Sequence, residues 1–382
     1  MKINRRLLHT ALLALALLIS APHSLQAQVV EKILTTQKSK TLRDGSQYKG
    51  DMMLMRPHGR GKMIYTDGTI YQGYFEYGKR HGQGTMTYTN GEKYEGEWSK
   101  DVRHGKGVYH YADGRRYDGT FECDVMQGFG TMYYANGDTY TGLWERGERH
   151  GKGVYIWGYD GSNYNGEWIR DHKQGWGRMF WLDGACYDGQ WKSDIRDGEG
   201  TFYYSNGDEY TGQWHDNVQH GKGEYRFADG DVYEGEYAHG VRSGYGTYTL
   251  AEGGKYVGEY RDGDIEGHGR YELPSGEVYD GDWLQNRRHG YGICRWPNGD
   301  VYEGEWADDL PNGVGSMSMA DGTVYECEYK EGLKDGSGKI TLPDGTVLKG
   351  TFSEDLRNGT FQQYDANGNL VKTLTFVNGM QR

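Results

Sequence analysis

The sequence predicts an all-β chain: an elongated single-layer antiparallel β-meander of about 14 tandem 23-residue hairpin repeats. Three observations carry this. Glycine fills 63 positions and tyrosine 34, against only 6 prolines, a profile too aromatic for a disordered linker and without the Gly-X-Y period of collagen. Tyr-x-Gly recurs at Tyr48, Tyr71, Tyr94, Tyr117, Tyr140, Tyr164, Tyr187, Tyr210, Tyr233, Tyr256, Tyr279 and Tyr302, every 23 residues with a single step of 24. Turn dipeptides such as Asp67-Gly68, Asn90-Gly91, Asp113-Gly114 and Asn136-Gly137 keep the same phase. An apolar content of 35% is low for a thick core and suits a thin sheet packed on one face.

Residues 94–117 serve as the repeating unit. Side chains alternate along a strand, so Tyr94, Gly96 and Trp98 share one face and Glu95 and Glu97 the other. The chain is then expected to turn through Ser99 to Gly105, to return as Val108-Tyr109-His110-Tyr111, and to reach Asp113-Gly114, a tight-turn signal that joins one hairpin to the next. Glycine weakens strands, so its strict placement needs a reason. A bare backbone lets a neighbouring ring lie flat over it, and aromatic rows across adjacent strands can then bury apolar area without a second layer. The pair Gly105-x-Gly107 and its copies suit a positive φ or a close backbone approach. The extra residue between Tyr140 and Tyr164 falls near Trp157-Gly158-Tyr159, where a bulge or longer turn keeps the faces in register. Some 28 strands at about 4.8 Å each predict a rod on the order of 130 Å.

Around the array, residues 1–27 read as a secretory signal peptide: Lys2, Arg5 and Arg6 precede an apolar run from Leu7 to Ile19, and cleavage is expected near Ala27, with an uncleaved anchor as the alternative. Residues 28–47 are expected to cap the N-terminal end, 48–350 to form the array and 351–382 to carry degenerate repeats that close it. Tyr325-Glu326-Cys327 has lost the glycine and Leu348-Lys349-Gly350 the tyrosine, as expected near the end of such an array. Removing three cations with the signal takes the net charge from −12 to −15 (−12 − 3). A chain so acidic does not seek nucleic acid or anionic lipid by its overall field, although a local basic strip still can.

These phased markers, Tyr-x-Gly-x-Trp, then Gly-x-x-His-Gly-x-Gly, then a turn, resemble the MORN (membrane occupation and recognition nexus) repeat over roughly residues 44–350. The resemblance implies a twisted antiparallel meander with a shallow groove, and residues 359–382 are similar to a looser repeat variant of bacterial proteins. The family name also implies lipid contact. Some eukaryotic relatives join these repeats to a lipid kinase domain, and no such domain is expected in residues 1–382.

Each candidate site competes with a structural role that the repeat assigns to the same residues. His58, His81, His104, His150, His220 and His289 sit a repeat apart, near 10 Å by about 4.8 Å per strand, too far to share a metal. Cys123, Cys186, Cys294 and Cys327 occupy different phases and are expected as free thiols, Cys294 and Cys327 being the least improbable pair. Carboxylates such as Glu95, Glu97, Glu303 and Glu305 recur too regularly for catalysis and are expected to solvate the polar face. The feature with a functional competitor is the aromatic stripe Trp98, Phe121, Trp144, Trp168, Trp191, Trp214, Tyr237, Tyr260, Trp283 and Trp306. It is expected to pack mainly within the sheet, and any rings left exposed along a groove would stack on sugars, extended peptides or apolar side chains. The expected function is an exported scaffold in the periplasm, at the cell surface or secreted, binding envelope proteins or itself through terminal strands. Lipid or glycan binding along the groove is the alternative, and no catalysis, cofactor, metal or nucleic acid is expected.

Overall fold

The computed structural model describes residues 36–382; the signal expected at residues 1–27 lies outside them. The described residues form thirty-one β-strands, in two compact units that meet in sequence at Leu182 and Asp183. Within each unit every described pairing is antiparallel and joins sequence neighbours, beginning with Thr36–Thr41 against Gln47–Met53. From Gln47 to Tyr364 strands of seven and nine residues alternate. This is the expected open meander, one layer thick.

The strands follow the sequence period. In the first unit the seven-residue strand Lys93–Ser99 carries Tyr94, Gly96 and Trp98, with Tyr94 and Trp98 buried. Gly96 stands opposite Gly84 on one side and Gly107 on the other. The register therefore lines up glycines into a rung running across the strands. Tyr94 lies over that rung: a Cβ at Gly107 would fall 2.5 Å from its ring Cε2, and one at Gly96 would fall 2.5 Å from the Gly107 Cα. No side chain fits there. The ring reaches past its own glycine and donates its hydroxyl to the Glu97 carbonyl at 2.8 Å. Trp98 stands edge-on to Tyr94 and Tyr71, with centroids at 5.1 and 5.4 Å, and its indole donates to the Gly84 carbonyl at 3.2 Å. Edge-to-face contacts of this kind favour the rings beyond their area burial.

The Glu97 carbonyl is available because the ladder breaks there. Gly96 pairs with Gly107 but Trp98 with Arg103, so the nine-residue strand Val102–His110 carries two extra residues at the bulge. Gly105 absorbs the bend at φ 61°, and the Glu97 carboxylate accepts from the Lys106 amide at 3.2 Å. The polar-face carboxylate expected only to solvate thus also satisfies the bulge. Asp51, Gln190, Gln213, Asp282 and Glu328 do the same in their repeats.

Two expectations about turns change. The chain does not loop from Ser99 to Gly105; it reverses in two residues, Lys100 (φ 50°) and Asp101 (φ 79°), the mirror-image turn that matches strand twist. Asp113-Gly114 is not a two-residue turn but part of a three-residue loop: Tyr111 N–H donates to the Arg115 carbonyl, Gly114 N–H to the Tyr111 carbonyl, and Asp113 Oδ1 accepts from the Arg115 amide at 3.0 Å. The extra residue of the fifth repeat lies in the equivalent loop, where Trp157 N–H closes on the Ser162 carbonyl and Gly158 backs onto Gly137.

The second unit repeats this construction. Tyr210 donates to the Gln213 carbonyl at 2.9 Å and Trp214 to the Gly200 carbonyl at 3.0 Å. Near its end Cys327 takes a rung position between Gly315 and Gly338, and Phe361 takes over the tyrosine's place above Gly350.

Burial pushes the tyrosine hydroxyls up, those of Tyr48 and Tyr233 to about 12, against about 10 in an unfolded chain. The folded state then holds protons that the unfolded state has released, so this stability is complete below pH 10 and is lost as pH rises from 10 towards 12. Alkaline titration followed by tyrosinate absorbance and far-ultraviolet circular dichroism should show the share of absorbance that belongs to the buried tyrosines appearing only in a steep step that coincides with loss of the sheet signal. Ionisation of all the tyrosines with the sheet intact would contradict the burial.

Candidate binding faces and the N-terminal groove

The ten aromatic residues of the stripe all lie on the tyrosine face and are buried, with 3% to 7% of their surface exposed. They pack edge-on against the tyrosines, as Trp144 does on Tyr140 and Tyr117, and Trp306 on Tyr302 and Tyr279. What reaches solvent is too little to stack a ligand on. The face is sealed further by a residue the sequence reading passed over. Arg80 stacks 4.3 Å from the Trp98 ring and donates to the Asp101 carbonyl at 2.6 Å; Arg149 does the same to Trp168 and Asp171, at 4.3 and 2.8 Å. In the second unit Arg196 and Arg288 cover Trp214 and Trp306. Each guanidinium joins its own repeat to the tight turn of the next, with cation–π attraction added to the hydrogen bond. The signal was present as an arginine recurring in phase at 80, 103, 149, 196, 242 and 288.

The opposite face is open. In the first unit it exposes Phe129 (62%), Leu143 and Trp176 (53%), with Phe129 directly opposite Leu143. In the second it exposes Tyr245, Tyr291 and Val314. At the N-terminal repeats this face forms a groove of about 1320 Å³ whose floor is the glycine rung from Gly50 to Gly107. Five cations line it, Lys38, Lys49, Arg60, Lys62 and Lys106, against two carboxylates, Glu95 and Asp118. Glu95 is already held by Lys93 at 2.8 Å.

The histidines do separate local jobs. His58 is buried and accepts from the Tyr77 amide at 3.3 Å, while His150 faces Glu145 at 3.3 Å. Among the described residues a single group places metal-ligating atoms close together, Asp197, His215 and Asp216 in the second unit. It is an ion-pair cluster, with His215 2.9 Å from Asp197 and 3.5 Å from Asp216. All four cysteines are free thiols, Cys123 exposed at a turn and the others buried. Cys294 lies 3.4 Å from the Glu277 carboxylate, and burial first, that carboxylate second, pushes its thiol up to about 12.

In comparison with known families, the MORN repeat profile matches this chain in twelve stretches, continuously from 48 to 115, then 117–158, and from 187 to 347. The repeat beginning at Tyr164 is not among them, yet it folds into the same strands, Asn163–Ile169 and His172–Phe180. Comparison with curated protein sequences gives no match. Among solved structures, the chain is similar to the SAS-4 TCP domain in complex with a proline-rich motif of Ana2 of Drosophila melanogaster, at 16% identity, over 47% of this chain and 90% of that one, with a TM-score of 0.29. It is also similar to the TCP10 domain of Danio rerio CPAP in complex with a STIL peptide (10% identity, 89% and 100% coverage, TM-score 0.14) and to a streptogramin B lyase (14%, 82% and 89%, 0.13). Likenesses at that level carry no functional argument.

Trp168 and Trp176 separate the two faces within one hairpin. Trp168→Ala should cost about 3–5 kcal/mol and expose the amides of its hairpin to hydrogen exchange, whereas Trp176→Ala should leave exchange unchanged. Equal protection loss in both variants would contradict the assignment of faces.

Proposed function

Because the chain belongs to the MORN-repeat family, we propose that it is an exported scaffold that holds protein partners of the cell envelope along its repeats. One observation carries the reading. The array uses its own aromatic and arginine side chains to close one face and leaves the other open, with Phe129, Leu143 and Trp176 exposed on it in the first unit and Tyr245 and Tyr291 in the second. Exposed apolar groups on an otherwise polar surface favour protein contact. In this reading the chain works by binding and catalyses nothing, and residues 1–27 direct it out of the cytoplasm. Burial of the stripe removes the main support for a glycan or lipid platform on that face.

Expression of the full chain followed by intact mass and in-cell cross-linking tests both halves. The mature protein should begin near Gln28 in an envelope fraction and cross-link to defined proteins there or to a second copy. An uncleaved chain in the cytoplasm would sink the export half. A strictly monomeric mass with no cross-linked partner would sink the scaffold.

A further inference from the structure

The N-terminal groove breaks a rule that the rest of the array keeps. Within each hairpin, the residue after the repeat tyrosine faces one residue of the returning strand. In the other thirteen hairpins that pair is neutral, singly charged or opposite in charge, as in Gln72 with Thr85, Asp118 with Thr131 and Glu326 with Lys339. In the first it is Lys49 directly opposite Lys62, and like charges so placed, with Cβ atoms about 5 Å apart, repel. Like-charge neighbours between hairpins, Glu224 with Glu234 and Lys339 with Lys349, each include a member that holds a counter-ion, Arg226 and Glu326 respectively. Lys49 and Lys62 are exposed, and among the described residues neither has an ion pair. Arg60, two residues before Lys62 on the same face, is exposed as well. Asp51, two residues after Lys49 on the same face, turns its carboxylate to the Arg60 backbone amide at 3.1 Å. A chain of net charge −12 thus gathers uncompensated cations at one end of one groove. Sequences that violate a local rule without a compensating contact tend to do so at functional sites.

We propose that this groove binds an extended acidic segment of a partner protein, its carboxylates on Lys49, Arg60 and Lys62 and its main chain over the glycine floor towards Gln72, Gln83 and Thr85. The assignment rests on the scaffold reading and locates one of its docking sites. The rung glycines turn their vacant side to the tyrosine rings, so on the open face the rung presents only backbone between flanking side chains, and Gln72, Gln83 and Thr85 offer donors and acceptors to a main chain laid there. From strand Gln47–Met53 to strand Arg116–Glu122 there are six spacings of about 4.8 Å, roughly 29 Å, which matches about nine extended residues at 3.3 Å each. A flat headgroup surface does not reach the floor of a concave groove. The clustered cations also steer an acidic ligand, an effect that salt weakens.

Fluorescence anisotropy on the full exported chain tests this with a labelled peptide of four alternating Glu and Asp residues followed by five Ser and Thr, and with its Lys-substituted counterpart. The acidic peptide should bind, weaken with added salt, and lose at least tenfold in affinity in Lys49→Glu and Lys62→Gln. Lys49→Glu places an opposite charge against Lys62, so its melting temperature should not fall, which separates lost binding from lost folding. Equal binding of both peptides, or affinity indifferent to either substitution, overturns the proposal, as does recruitment to phosphatidylglycerol vesicles without peptide binding. If wild-type and Lys49→Glu chains cross-link to the same envelope partner equally well, the groove assignment falls while the scaffold reading stands.

Discussion

A tyrosine ring lying on bare backbone is the contact on which this architecture depends. A single-layer sheet has no second layer to bury its apolar face, so it must bury area within one face. The repeat does this by stripping two strands of side chains at the rung, laying Tyr94 across Gly96 and Gly107, and standing Trp98 on edge against the ring. Everything else in the unit follows from keeping that ring in place. The bulge opposite Glu97 frees the carbonyl that holds the tyrosine hydroxyl. Gly105 takes the positive φ the bulge needs, and the Glu97 carboxylate satisfies the amide it exposes. Arg80 then covers the outer side of Trp98 and ties it to the next turn. Where the pattern wears, the cost is visible: Tyr260 and Tyr329 stand where half of the repeats have tryptophan, and their buried hydroxyls have no hydrogen-bond partner among the described residues.

How much of this was legible follows from how local each cause is. Strand faces and the glycine rung could be read because Tyr94, Gly96 and Trp98 alternate with period two and the whole repeats in phase. The loop holding the extra residue at Gly158 was legible for the same reason. The two-residue turn at Lys100 and Asp101 was not, since neither residue carries the glycine that normally marks positive φ. It is held from outside by Arg80, twenty-one residues away, through both the Asp101 carboxylate and carbonyl. Asp113-Gly114 misled because the same dipeptide serves two-residue and three-residue loops, and the flanking hydrogen bonds decide between them.

The candidate site divides in the same way. Periodicity placed the aromatic stripe in one phase but could not say whether its rings stay open, because the arginines that seal them belong to neighbouring repeats. The groove was less visible still. Lys49 and Lys62 are thirteen residues apart in sequence, and only the register of one hairpin sets them face to face. The functional consequence is a division of labour: the repeating residues hold the sheet together, and the residues that break the repeat on the open face are the ones left to recognise a partner.

The most direct test of the ring-on-glycine contact is a double-mutant cycle between Gly107→Ala and Tyr94→Ala, read as local stability by hydrogen exchange across residues 93–110. The added methyl at Gly107 collides with the Tyr94 ring, so Gly107→Ala should destabilise the hairpin strongly in the wild-type background and far less once the ring is gone. Costs that simply add would mean that the ring does not rest on that glycine, and the physical basis proposed for the whole array would fail with it.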